Sequence, residues 1–116
     1  KLPSAVPFEQ ACILGCAVST AYHALRRGRI RAGDTVVVYG VGGLGAQAIS
    51  LARILKAKKI VAVDISDEKL KLAKKLGADE IVNAATEDPA QRIEEMTEGK
   101  FADLVLDLVG ASKVIE

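Results

Sequence analysis

Apolar and polar positions follow two alternating rhythms along the chain. TVVVYG (Thr35 to Gly40) and KKIVAVD (Lys58 to Asp64) are continuous apolar, β-branched runs of strand length, the pattern of strands covered on both faces. DEIVN (Asp79 to Asn83) and ADLVLDLVG (Ala102 to Gly110) predict a third and a fourth strand. Between the strands the period becomes helical. Leu44, Ala48, Leu51, Ala52 and Leu55 predict a helix from Gly43 to about Lys56. Asp67 to Leu76 predicts another, closed by Gly77 as its C-terminal cap. Asp88-Pro89 reads as the N-cap and first position of a third helix, which Gly99 ends. Ahead of these units, Phe8 to about Leu25 is helical with a break near Gly15, where Pro7 suits a first helical position and Glu9 the helix dipole. RRGRIRAGD (Arg26 to Asp34) is a polar loop, and ASKVIE starts a further helix.

Strands alternating with helices make βαβ units, hence a parallel sheet with right-handed crossovers. The expected fold is α/β, a Rossmann-type doubly wound parallel sheet in three layers. A complete dinucleotide-binding sheet of this kind has about six strands, and the pattern yields four. The expectation is therefore one incomplete domain, residues 1–116: a leading helical segment over 1–30, then βαβ units over 35–116. Because the chain starts at Lys1 and ends at Glu116 within a new helix, it reads as part of a longer protein.

Composition narrows the function classes. Half the residues are apolar but only 3% are aromatic, and the net charge is +1 with both signs interspersed. Neither a basic footprint nor a stacking platform for nucleic acid is present, since the aromatics are only Phe8, Tyr22, Tyr39 and Phe101. No apolar run approaches the ~20 residues of a membrane span, and no signal peptide opens the chain. Two cysteines make no disulfide framework, so a reducing, cytoplasmic setting is expected.

The chemistry concentrates in VVVYGVGGLGAQAISLAR, where Gly40, Gly42, Gly43 and Gly45 fall within six residues. Such a loop is either a tight turn without a ligand or a phosphate cradle. Its place between a buried strand and a helix favours the cradle. Gly40 would permit the turn, Gly42 the approach of a pyrophosphate, and Gly45 the close packing of helix on strand. The helix start adds free N–H donors and a partial positive charge. Asp64 ends the second strand nineteen positions beyond Gly45, where a carboxylate ~20 positions on accepts the adenosine ribose hydroxyls. It would repel a phosphorylated ribose, which favours NAD over NADP. A methyltransferase using S-adenosylmethionine also carries an acidic residue after its second strand, but Tyr39 stands where its first-strand acid is usual, and Gly45 keeps dinucleotide spacing.

GVGGLG followed by VAVDISDEKLKLAKKLGADEIVN resembles the cofactor domain of the medium-chain dehydrogenase/reductase superfamily, most closely the zinc-containing alcohol dehydrogenases. The resemblance runs from PFEQACILGCAVSTAYHAL to DLVLDLVG. It implies an enzyme that transfers a hydride between an alcohol or aldehyde and NAD(H), with a catalytic zinc polarising the substrate oxygen. By the same resemblance Gly43 and Leu44 would donate N–H groups to the pyrophosphate, and Leu44 would face the nicotinamide. Asp64 and Lys69 would hold the ribose, Ile65 would cover the adenine, and Val109 and Gly110 would wall the cleft. Cys16 falls on a zinc-ligand position and Thr20 would lie beside the nicotinamide. The other zinc ligands and the catalytic domain would lie outside this chain, which alone would be inactive. A small-molecule substrate and a homo-oligomeric parent are also implied.

Each candidate has a plainer reading. Cys16 could be a small buried hydrophobe. Cys12 reads as core, His23 as a satisfied helix histidine, and RRGRIR, Lys58-Lys59 and the face of Lys71, Lys74 and Lys75 as solvated surface. The competing functions are a zinc-free, NADPH-dependent quinone or enoyl reductase of the same superfamily, and a non-catalytic NAD-binding module.

Overall fold

In the computed structural model, the chain is described from Pro3 to Ala111. It opens with α1 (Phe8–Ala11), a π-helical turn (Leu14–Val18) and α2 (Ser19–Arg27), so the break expected near Gly15 is a local widening of the helix. β1 (Thr35–Tyr39), α3 (Gly43–Ile54), β2 (Lys59–Asp64), α4 (Asp67–Leu76), β3 (Glu80–Asn83), α5 (Pro89–Met96) and β4 (Leu104–Asp107) follow. The helix expected at ASKVIE lies outside the described residues.

Local chemistry sets these boundaries. Ser66 Oγ accepts from the Lys69 N–H at the start of α4, and Asp88 Oδ1 accepts from the N–H groups of Ala90 and Gln91 at the start of α5. α3 stops short of Lys56, which turns out of the helix with φ 66. β4 is shorter than expected. Asp107 Oδ1 accepts from the N–H groups of Val109 and Gly110, curling residues 108–110 into a turn.

The four strands are parallel in the order β3-β2-β1-β4. The chain steps outward from β1 to β3, then crosses back to lay β4 on the other side of β1. Val37 pairs with Val61 on one side and Val105 on the other. One sheet face, including Val36, Val38, Ile60 and Ala62, packs with Ala48, Ile49 and Leu70 of α3 and α4 and Leu25 of α2. The opposite face, Val37, Val61, Val63 and Val82, packs with Ile93 and Met96 of α5. These are the three expected layers. Covering both faces explains why β1 and β2 are apolar throughout rather than alternating. Each fully buried Val, Leu or Ile contributes about 1.5–3 kcal/mol by leaving water. The reversal of strand order between β1 and β4 makes a switch point, and in such sheets ligands bind beyond the strands' carboxyl ends there.

Candidate functional site

A cleft of about 1060 Å³ opens beyond the carboxyl ends of the strands. Its floor is the glycine loop. Gly40 leaves β1 with φ +91, a conformation that favours glycine, and its N–H continues the ladder to Val63 O at 2.8 Å. A Cβ on Gly45 would collide with the Gly40 carbonyl oxygen, so the start of α3 can sit this close to β1 only with glycine there. Gly42 and Gly43 differ. Gly42 has extended backbone (φ −87, ψ −158), and a Cβ built on either residue meets nothing within 4 Å. Neither backbone strain nor packing demands glycine at these two positions. What their missing side chains leave is open space in the cleft they line.

The helix above this space is ready for an anion. The Ala46 N–H makes a bond to Gly42 O at 2.9 Å, which leaves the Gly43 and Leu44 amides without intrahelical partners. Those donors and the positive end of the helix dipole are the components of a phosphate site. The wall beside it is Asp64. Its Oδ2 accepts from the Val41 N–H at 2.7 Å and its Oδ1 from the Ser66 N–H at 3.0 Å. Burial works to raise the Asp64 pKa, but hydrogen bonds from the Val41, Ser66 and Ile65 amides and the nearby Lys69 charge outweigh it. The carboxyl is held below its ordinary value, so it is ionised at neutral pH. Ile65 is 73% exposed and lines the cleft, a flat apolar surface suited to a ring. Lys69 and Val109 complete the part of the wall anticipated from sequence. An open cradle, free helix amides and a fixed carboxylate fit a dinucleotide with an unphosphorylated adenosine ribose.

A family model described as Zinc-binding dehydrogenase matches residues 43–116. The chain belongs to that family, within the zinc-containing branch of the medium-chain dehydrogenases. Among curated relatives, it is 39% identical over 107 residues to an NAD-dependent alcohol dehydrogenase of Sulfurisphaera tokodaii, covering 91% of this chain and 31% of that protein. Among solved structures, it superposes on alcohol dehydrogenase TADH from Thermus sp. ATN1 with a TM-score of 0.94 and 41% identity, covering 99% of this chain and 34% of that one. A quinone oxidoreductase from Pseudomonas syringae pv. Tomato DC3000 is also similar, with a TM-score of 0.89 and 35% identity, covering 99% of this chain and 36% of that one. The chain thus spans about a third of the length of these relatives.

The chain does not gather every anticipated residue. Gly110 lies just beyond the wall, at φ +67, and shapes the turn between Val109 and Ala111. Cys16 and Thr20 are exposed on the π-helical turn and the first turn of α2, outside the cleft lining. That turn packs against α3, whose start carries the cradle. Exposure removes the buried-hydrophobe reading of Cys16. Cys12 is exposed too, correcting its assignment to the core: α1 contributes no buried residue, and the Cys12 thiol donates to Glu9 O. His23 is also exposed. Among the described residues, no group of three or more His, Cys, Asp or Glu is placed to hold a metal, so the described part of the chain makes no metal site by itself.

Sequence reasoning missed the far wall. Tyr39, Ala84 and the stretch from Glu87 to Ala90 also line the cleft. Burial pushes the Tyr39 hydroxyl pKa up, and the Asp88 and Asp107 carboxylates add to the effect. The signal was topological. In a parallel sheet the loop after β3 emerges at the same end as those after β1 and β2, which brings Asp88 to the cleft that Asp64 lines as well as to the cap of a helix.

Proposed function

We propose that this chain is the NAD(H)-binding part of a zinc-dependent oxidoreductase that moves a hydride between an alcohol or aldehyde and the nicotinamide. The observation that carries the reading is the space over Gly42 and Gly43 at the free amides of α3, bounded by the ionised Asp64. Gly43 and Leu44 donate to the pyrophosphate, and Asp64 accepts from the ribose diol with Lys69 beside it. Ile65 covers the adenine, while Leu44 and Val109 shield the nicotinamide end from water, Gly40 and Gly110 shaping the turns that bring these walls together. NAD, when bound, accepts or returns the hydride; these residues orient it. An NAD-dependent relative by name, 39% identical, supports the cofactor choice.

Cys16 supplies one thiolate to the zinc, and Thr20, one helical turn on, lies toward the nicotinamide. The other ligands come from a catalytic domain to which residues 1–30 connect. The substrate is a small molecule, and the parent protein is a homo-oligomer. Titrating the chain with NADH and with NADPH, followed by backbone amide NMR, tests the reading. Shifts at residues 42–45 and 64–65 with NADH alone are expected. Equal responses to both cofactors would favour the second reading, a zinc-free NADPH-dependent reductase, for which the similarity to a quinone oxidoreductase speaks. A folded chain that answers neither would return the loop to a plain turn.

A further inference from the structure

We propose that Asp64 is a positioning residue for the glycine loop as well as the acceptor of the ribose, so that one carboxylate couples the two halves of dinucleotide recognition. The proposal rests on the dinucleotide reading of the cleft, but its structural half stands on separate observations. The Val41 side chain is buried in the core cluster that also holds Val36, Val38 and Ala48, which anchors the loop. Its N–H is then directed to Asp64 Oδ2 at 2.7 Å. One residue earlier, the Gly40 N–H is bonded to Val63 O at 2.8 Å. Two consecutive loop amides are therefore stapled to β2, one by backbone and one by side chain, across the positive-φ turn at Gly40.

The second oxygen is fixed as well. Oδ1 accepts from the N–H of Ser66, the residue whose Oγ caps α4. The carboxylate thus ties the loop before α3 to the cap of α4 and cannot turn freely. It offers about four lone-pair sites. The Val41 and Ser66 amides take one on each oxygen and the Ile65 amide also contributes, which still leaves an acceptor site for a ribose hydroxyl without release of the loop.

The consequence has a sign. If Asp64 touched only ribose, removing its charge beside a polyanion site would strengthen the binding of a ligand that lacks ribose, by relieving repulsion. If Asp64 positions the loop, the same change weakens that ligand, because the Val41 amide is released and the cradle loosens.

Inorganic pyrophosphate is the probe, titrated into the full chain as wild type, Asp64→Ala and Asp64→Asn, with Gly43 and Leu44 amide shifts as the readout. Val41 amide exchange is measured in parallel. Asp64→Ala is expected to bind pyrophosphate on the order of tenfold more weakly and to exchange the Val41 amide on the order of tenfold faster, the scale of one charge-assisted hydrogen bond. Asp64→Asn, which keeps an acceptor oxygen, should restore most of both. Equal or tighter pyrophosphate binding with unchanged Val41 protection in Asp64→Ala overturns the proposal. Should Asp64→Ala not fold, the Asn variant is read beside a through-hydrogen-bond coupling between the Val41 amide and the Asp64 carboxyl in wild type. That coupling supports the proposal, and its absence with rapid exchange overturns it. A wild-type chain that answers neither NADH nor pyrophosphate overturns the dinucleotide reading and the coupling with it, while Val41 still decides the positioning role.

Discussion

The β1–α3–β2 unit and the leading segment before α2 share one chain but follow opposite rules. In the first, Val36 to Val38 and Ile60 to Val63 are buried on both sheet faces, and the glycine loop is held by backbone bonds and one carboxylate. In the second, α1 and the π-helical turn contribute no buried residue, and Phe8 is 82% exposed. The difference separates two kinds of chemistry. Apart from Lys69 on α4, everything proposed to read phosphate and ribose is assembled within one βαβ unit, from groups whose positions the core fixes. The thiol proposed to bind zinc sits on a turn that touches α2 and α3 but contributes no buried residue of its own.

The largest effect should come from comparing cores. Ile49→Ala, in the fully buried centre of α3, is expected to cost about 2–5 kcal/mol by lost burial and cavity formation. Phe8→Ala should change stability by no more than about 0.5 kcal/mol, as surface substitutions do. Chemical denaturation of both variants measures the contrast. A Phe8→Ala cost near that of Ile49→Ala would erase the distinction between the two regions.

Next comes a split between stability and binding inside the well-packed region. Gly42→Val puts a branched side chain where a Cβ meets nothing, on backbone any residue adopts. Stability should hold within about 0.5 kcal/mol, while NADH affinity falls by at least about tenfold, or ~1.4 kcal/mol. Calorimetric titration beside a thermal melt reads the two together. Unaltered affinity would mean that no ligand occupies that space.

How much was legible follows the same division. β1, β2, α4 and their order could be read because continuous β-branched runs, and Gly77 closing the helix from Asp67 to Leu76, are local signals. Asp64 was legible through its spacing from Gly45, yet its bond to the Val41 amide was not. That contact depends on how far the loop folds back over β2. Asp88 was read as a cap and is one, but its place on the cleft wall needed the sheet order. Cys12 was misassigned because helical spacing reports a face and not whether anything covers it.

The smallest expected effect on the fold belongs to Cys16, and it sharpens the comparison most. An exposed thiol on a turn without buried residues has little packing to lose, so Cys16→Ser should leave the melting temperature of this chain unchanged. Metal content should respond differently. In the protein that carries the remaining ligands, replacing a thiolate by a hydroxyl removes the zinc-preferring donor, and the proposal requires zinc to be lost while NADH still binds. Elemental analysis and an NADH titration on the same sample separate the two. Full zinc occupancy would strip Cys16 of its assigned role. Loss of both zinc and NADH would show that the leading segment supports the cradle through its contact with α3, making the two regions one functional unit.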